Sequence, residues 1–218
     1  MTEDRWISEL HWRRDSKQTR SEKTQAALLD AAEELIVEKG VDGASITEIA
    51  RRAGSSVGAV YHHFKDKTAL RNAVFHRMTS EIDNTNKQAA DPARWKDASA
   101  LEMIDAFISF RLHQTKAGGM SKRATALVMA DDPDLKAHMA EIKREGNLRL
   151  LNLLLTRKDE IKHPDPEFAA AFVIDQLSAM FYARTDPYQR ASALAKCSDE
   201  EFKAEALKWA TVVLDLKS

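Results

Sequence analysis

Three observations predict an all-α fold. Wherever the chain is periodic, apolar residues recur at three- and four-residue spacing, and no run alternates with period two between turn signals. Glycine and proline are scarce, 7 and 5 in 218 residues, and most fall between periodic stretches. Helix starts are written out in side chains that accept from the first free N–H groups: S-x-x-E at Ser45 and Ser198, and Asp-Pro at 132 and 165, whereas Asp91-Pro92 stops a helix.

Residues 1–20 form an extension carrying Trp6, Trp12, Arg13, Arg14, Lys17 and Arg20. It reads either as a basic arm for phosphates or a minor groove, or as a tail that is solvated or packed on a partner. The first domain helix is expected from about Glu22 to Lys39, with Leu28, Ala32, Leu35 and Ile36 on one stripe and Gly40 at its end.

Ser45 to Phe64, SITEIARRAGSSVGAVYHHF, reads as two short helices around a tight turn. Ser45 and Glu48 are expected to form a reciprocal capping box. Ile46, Ile49, Ala50 and Ala53 share a face, and Gly54 supplies a left-handed C′ position. Ser55 or Ser56 caps the next helix, whose inner face is assigned to Val57 and Val60. Its outer face is assigned to Tyr61, His62 and His63. Asp66 caps a fourth helix with Leu70, Val74, Phe75 and Met78 inward.

Residues 21–74 closely resemble the DNA-binding domain of the tetracycline-repressor (TetR/AcrR) family of bacterial transcriptional regulators. The landmarks are Glu38-Lys39-Gly40, Ile49-x-x-x-Ala53-Gly54, and Tyr61-His62-His63-Phe64 followed by Lys65-Asp66-Lys67. The resemblance implies a head spanning 21–81, with its helix-turn-helix at 45–64, followed by a helical effector-binding and dimerisation domain at 82–218. It implies that the second helix of the motif enters a major groove. Gly58 lets backbone approach DNA closely, and Tyr61, His62 and His63 reach sugar, phosphate or a thymine methyl. Thr47, Ser55 and Ser56 offer hydroxyls to phosphates, and Lys67 offers an ammonium at a helix start. Val57 departs from the Lys, Arg, Thr or Pro common in the family; it can only meet a methyl or pack. Arg51 and Arg52 are alternative base readers.

Beyond residue 81 the order is a break at 88–97, a helix through Leu101, Ile104, Phe107, Ile108 and Leu112 ended by Gly118-Gly119, and a shorter one at 123–130. A long helix from Asp132-Pro133, another from Asp165-Pro166 and a last one from Ser198 complete the chain. The stretch EFAAAFVIDQLSAMFYAR is apolar nearly all round, so both sides need cover. A second copy supplies it most simply, through a four-helix interface that includes Phe172, Ala179, Tyr182, Phe202, Trp209 and Val213. The resemblance also implies a small-molecule effector. Candidate lining residues are Met103, Phe107, Phe110, Arg111, Met139, Phe172, Asp175, Gln176 and Met180; plain core is the alternative for the Met and Phe set.

The remaining features exclude function classes. Net charge is −1, and the first 80 residues hold 13 Lys and Arg against 12 Asp and Glu, so any case for DNA rests on charge placement. One cysteine, Cys197, leaves no internal disulfide or cysteine-built zinc site and reads as a small buried apolar residue. No metal-ligand spacing, nucleophile elbow or phosphate-cradling glycine loop is present, so no catalytic residue, metal or cofactor is expected. Nothing suits a membrane span or a signal core, and a cytoplasmic protein is expected. The expectation is a dimeric DNA-binding regulator, a repressor at a palindromic operator released by a small molecule. The alternative is a helical interaction or scaffold protein with a degenerate head.

Overall fold

The computed structural model describes residues 20–115, 132–189 and 191–216. Nine α-helices lie among them: α1 Arg20–Gly43, α2 Ile46–Arg52, α3 Val57–His63, α4 Lys67–Ala89, α5 Ala100–Thr115, α6 Pro133–Leu155, α7 Pro166–Thr185, α8 Ala193–Lys196 and α9 Asp199–Leu214. Short 3-10 turns occupy Pro92–Trp95, Lys158–Glu160 and Pro187–Gln189. Several expectations lie outside the described residues: those for the extension before Arg20, for Gly118-Gly119 and for the helix at 123–130. The described residues form two compact units, one of 20–84 and 132–142, the other of 85–115 and 143–216.

In the amino-terminal unit the α1 stripe is buried as its spacing requires. Leu28, Ala32 and Leu35 are fully covered, and they pack with Ile49, Ala50, Val60, Leu70, Val74, Phe75 and Met78. Each buried Leu, Ile, Val, Phe or Met among them contributes roughly 1.5–3 kcal/mol, the alanines less. Gly40, at φ +75°, breaks α1 as expected, and a last helical turn continues to Gly43. Leu135 and Met139 at the start of α6 join this core. Asp132 opens α6: its Oδ1 accepts from the Asp134 and Leu135 N–H groups, and its Oδ2 accepts from Arg71 at 2.6 Å.

The carboxy-terminal unit packs α5, α7 and α9 around Ile104, Ile108, Leu154, Val173, Leu177, Phe181, Phe202, Ala206 and Ala210. Ser198 and Glu201 make the full reciprocal box at the start of α9. Arg184 ties the end of α7 to the α8–α9 corner. Its Nη1 donates to the Leu194 and Cys197 carbonyls at 2.7 and 2.9 Å, its Nη2 pairs with Asp199 at 2.7 Å, and its guanidinium lies over Phe202. Cys197 is half-buried with its Sγ beside that guanidinium.

The helix α7 is two-faced. Ala169, Ala170, Val173, Ile174, Leu177 and Phe181 point inward, whereas Phe168, Phe172, Asp175, Gln176, Ala179 and Tyr182 form an exposed stripe. Phe202, expected at a dimer interface, is instead sheathed by its own chain, with its ring 5.0 Å from that of Phe181. Its position on the inner face of α9 leaves a partner nothing to touch.

Candidate nucleic-acid interface

The turn between α2 and α3 is a Schellman motif. The Ser55 N–H donates to the Ala50 carbonyl at 2.9 Å and the Gly54 N–H to Arg51 at 3.2 Å, with Gly54 at φ +59°. Ser56, rather than Ser55, caps α3 by accepting from the Ala59 N–H at 3.1 Å. Its hydroxyl hydrogen stays available to a phosphate. Ser45 accepts from the Glu48 N–H, but the return half of the expected box is replaced: the Glu48 carboxylate takes Lys39 Nζ at 2.6 Å. A charged partner wins over the neutral N–H.

The motif presents one edge. Val60 and Phe64 are buried, while Val57, Gly58, Tyr61 and His62 recur at helical spacing on the exposed side. Val57, assigned above to the inner face, is 38% exposed; the face turns away one residue earlier than the sequence pattern implied. His63 is half-buried between the His62 and Phe64 rings, so it belongs to the flank of this edge and not its crest. Thr47 and Lys65 are exposed and Ser55 is half-buried. Gly58 is open: an added Cβ would meet only Ser56 Oγ, at 3.8 Å.

Charge is sorted around this edge. Arg52 is held by Glu38 through two bonds of 2.6 and 2.8 Å, with Glu34 at 3.7 Å, which removes it from the candidate base readers. The bond to Arg52 lowers the Glu38 pKa, Glu38 in turn raises that of Arg52, and Lys39 lowers that of Glu48. The Arg51 side chain remains 73% exposed, with only Glu48 at 3.8 Å. Lys67 is half-buried and donates to the Asp42 carbonyl at 3.0 Å. An ammonium has three donors, so two stay available. Four acids of α1 are thereby spent on cations of its own unit: Glu34 and Glu38 on Arg52, and Glu33 and Asp30 on Arg77 at 2.6 and 2.7 Å.

Residues 28–74 match the family described as bacterial regulatory proteins, tetR family. The amino-terminal head of this chain is thus similar to that of the tetR-family regulators. The chain is 34% identical over 99 residues to the HTH-type transcriptional regulator BetI of Klebsiella pneumoniae (strain 342), covering 44% of the chain and 49% of that protein. It is 29% identical over 156 residues to BetI of Escherichia coli O157:H7, covering 69% of the chain and 77% of that protein. Thus several of the curated relatives are matched over about half their length. A TetR-family transcriptional regulator from Mesorhizobium loti MAFF303099 shares the fold, with a TM-score of 0.62 and 23% identity over 91% of this chain and 98% of that one. The two BetI relatives are named as HTH-type transcriptional regulators.

Of the sequence-assigned effector residues, Phe107 and the half-buried Arg111 both meet the Phe181 ring; the set as a whole does not line one pocket. Met103 and Phe110 are buried, Phe107 and Met180 half-buried, and Met139 is in the amino-terminal core. Phe172, Asp175 and Gln176 share the outer stripe of α7. An open cleft of about 490 Å³ is lined by other residues, among them Lys87, Asp91, Arg149 and Leu153. Of the interface set, Ala179 and Tyr182 are exposed, and Trp209 and Val213 half-buried. Phe168 and Val212, missed in the sequence, are 61% and 74% exposed. Phe168 was legible as the residue four before Phe172, on whose ring it stacks at 5.8 Å. No described helix is long and apolar enough to cross a membrane.

Proposed function

We propose that this chain is a cytoplasmic, homodimeric, DNA-binding repressor whose operator is palindromic and whose grip is released by a small molecule. Residues 21–81 serve as the head and 82–218 as the dimerisation and effector region. The observation that carries the reading is the exposed edge of α3, where Val57, Gly58, Tyr61 and His62 stand clear of the core beside the Ser56 hydroxyl and the open Arg51. Backbone close approach at Gly58, ring contacts from Tyr61 and His62, and phosphate contacts from Thr47, Ser55, Ser56 and Lys67 suit a major groove. His63 supports the flank. Repression follows the family's common mode, in which the bound dimer covers a promoter. An effector acts only if it prefers one arrangement of the two heads; equal affinity for both moves nothing.

Selection of bound fragments from random DNA tests the reading. Two copies related by a two-fold axis enrich an inverted repeat with half-sites about 10 base pairs apart or a multiple of that. Enrichment of asymmetric sequences, or none, overturns it.

A further inference from the structure

Cations of the carboxy-terminal unit mostly have acids or carbonyls. Arg149 meets Glu145, Arg157 meets the Ala98 and Trp95 carbonyls, Arg184 meets Asp199 and Lys203 meets Asp105. Arg111 is different. It leaves α5 one turn after Phe107 and lays its guanidinium over Phe181, 5.3 Å from the ring centroid. Phe107 stands edge-on to the same ring at 6.4 Å. The Arg111 Nε–H is sealed from solvent and meets no acceptor. Burial pushes the pKa of Arg111 down, and no carboxylate acts on it. The charge near it is another cation: Lys143 of α6, exposed as a residue, has its pKa lowered first by desolvation and then by Arg111. Guanidinium does not escape burial by losing its proton. A half-buried guanidinium with a sealed, orphaned Nε–H and no carboxylate to balance it is a costly arrangement, and an anion beside it relieves it.

We propose that Arg111 and Lys143 form the anion anchor of an effector site, and that the effector is an organic carboxylate whose apolar body packs against the Phe107–Phe181 pair. The planar fork of Arg111 matches a carboxylate edge, and Lys143 adds a second charge from another helix. The inference rests on the effector reading above only for its consequence on DNA; the anchor itself is read from these four residues.

Thermal melting of the full chain in low-chloride buffer, with octanoate, octanol, octyltrimethylammonium or inorganic phosphate at equal concentration, tests it. Octanoate at a hundredfold excess over its Kd raises Tm by about 5 °C, and the other three do not. Arg111→Met removes the octanoate shift and raises the ligand-free Tm, because it deletes a half-buried charge whose Nε–H has no acceptor. A purely structural arginine gives the opposite sign. Lys143→Met, at an exposed position, keeps the fold and weakens octanoate at least tenfold. An absent octanoate shift, an equal shift from octanol, octyltrimethylammonium or phosphate, unchanged octanoate affinity in Lys143→Met, or a ligand-free Tm lowered by Arg111→Met overturns the anchor. Mobility shifts with the selected operator separate the two readings. If octanoate raises Tm in a chain that binds no DNA, the anchor stands and the regulator reading falls. If octanol or the ammonium releases DNA while octanoate does not, the anchor falls and the effector reading stands.

Discussion

Gly58 stands in the first turn of α3 with open space where a side chain would point. Alanine therefore fits the isolated chain, and it is a better helix former by about 1 kcal/mol. Gly58→Ala is expected to raise Tm by about 2–4 °C and to weaken DNA binding, because the added methyl stands where backbone approaches the duplex. Melting and mobility shifts on one preparation check both signs; unchanged affinity would place Gly58 outside the contact. Tyr61, 55% exposed, gives a cleaner single effect. Tyr61→Ala leaves the melt unchanged and lowers affinity. Lys67 differs because its ammonium also holds the Asp42 carbonyl. Lys67→Ala reduces the salt slope of binding by about one and costs roughly 1 kcal/mol of stability. A salt titration with an unaltered slope removes it from the phosphate contacts.

At the scale of elements, the parts that were legible in the sequence are those whose cause is local. Ser56, Ser198, Asp132 and Asp165 cap helices because the N–H groups they satisfy lie two or three residues away. Gly54 ends α2 for the same reason. The illegible parts depend on partners distant in sequence. Glu48 abandons its own cap for Lys39, nine residues back, and Arg52 is taken by Glu38, fourteen back. Arg184 reads as one more polar residue until the corner of α8 folds beneath it. Its role is testable: Arg184→Met leaves the Leu194 and Cys197 carbonyls without their donor and is expected to cost about 2–3 kcal/mol in denaturant unfolding. A loss below roughly 0.5 kcal/mol, the scale of ordinary surface changes, would make the corner self-supporting. The lowered pKa values of Glu38 and Glu48 have a defined sign. Their contribution is present above the unfolded carboxylate pKa and disappears as pH falls through the lower folded values. The α1–α2 contact should therefore loosen only in acid, not near neutrality.

For the whole molecule, the outer stripe decides between one copy and two. Phe168, Phe172, Ala179 and Tyr182 on α7, with Val212 on α9, leave a row of apolar and aromatic groups in water, and Phe172 leans on the half-buried Trp209 at 6.3 Å. The sequence pointed to a second copy from the near-uniform apolarity of α7. The structure sharpens that argument, since the inner face is satisfied by its own core and only the outer one asks for cover. Tyr182 and Val212 are 67% and 74% exposed, so glutamate at both positions meets water and not core in a single chain. The paired substitution Tyr182→Glu and Val212→Glu is therefore expected to preserve the melt of the fold while like charges face each other across a two-fold axis. Sedimentation should then show a monomer. Affinity for the palindrome should fall by about 10²–10⁴, the factor that linking two half-site contacts supplies, while a single half-site is bound as before. A sedimentation profile still showing dimers, with full operator affinity, would move the interface to another face.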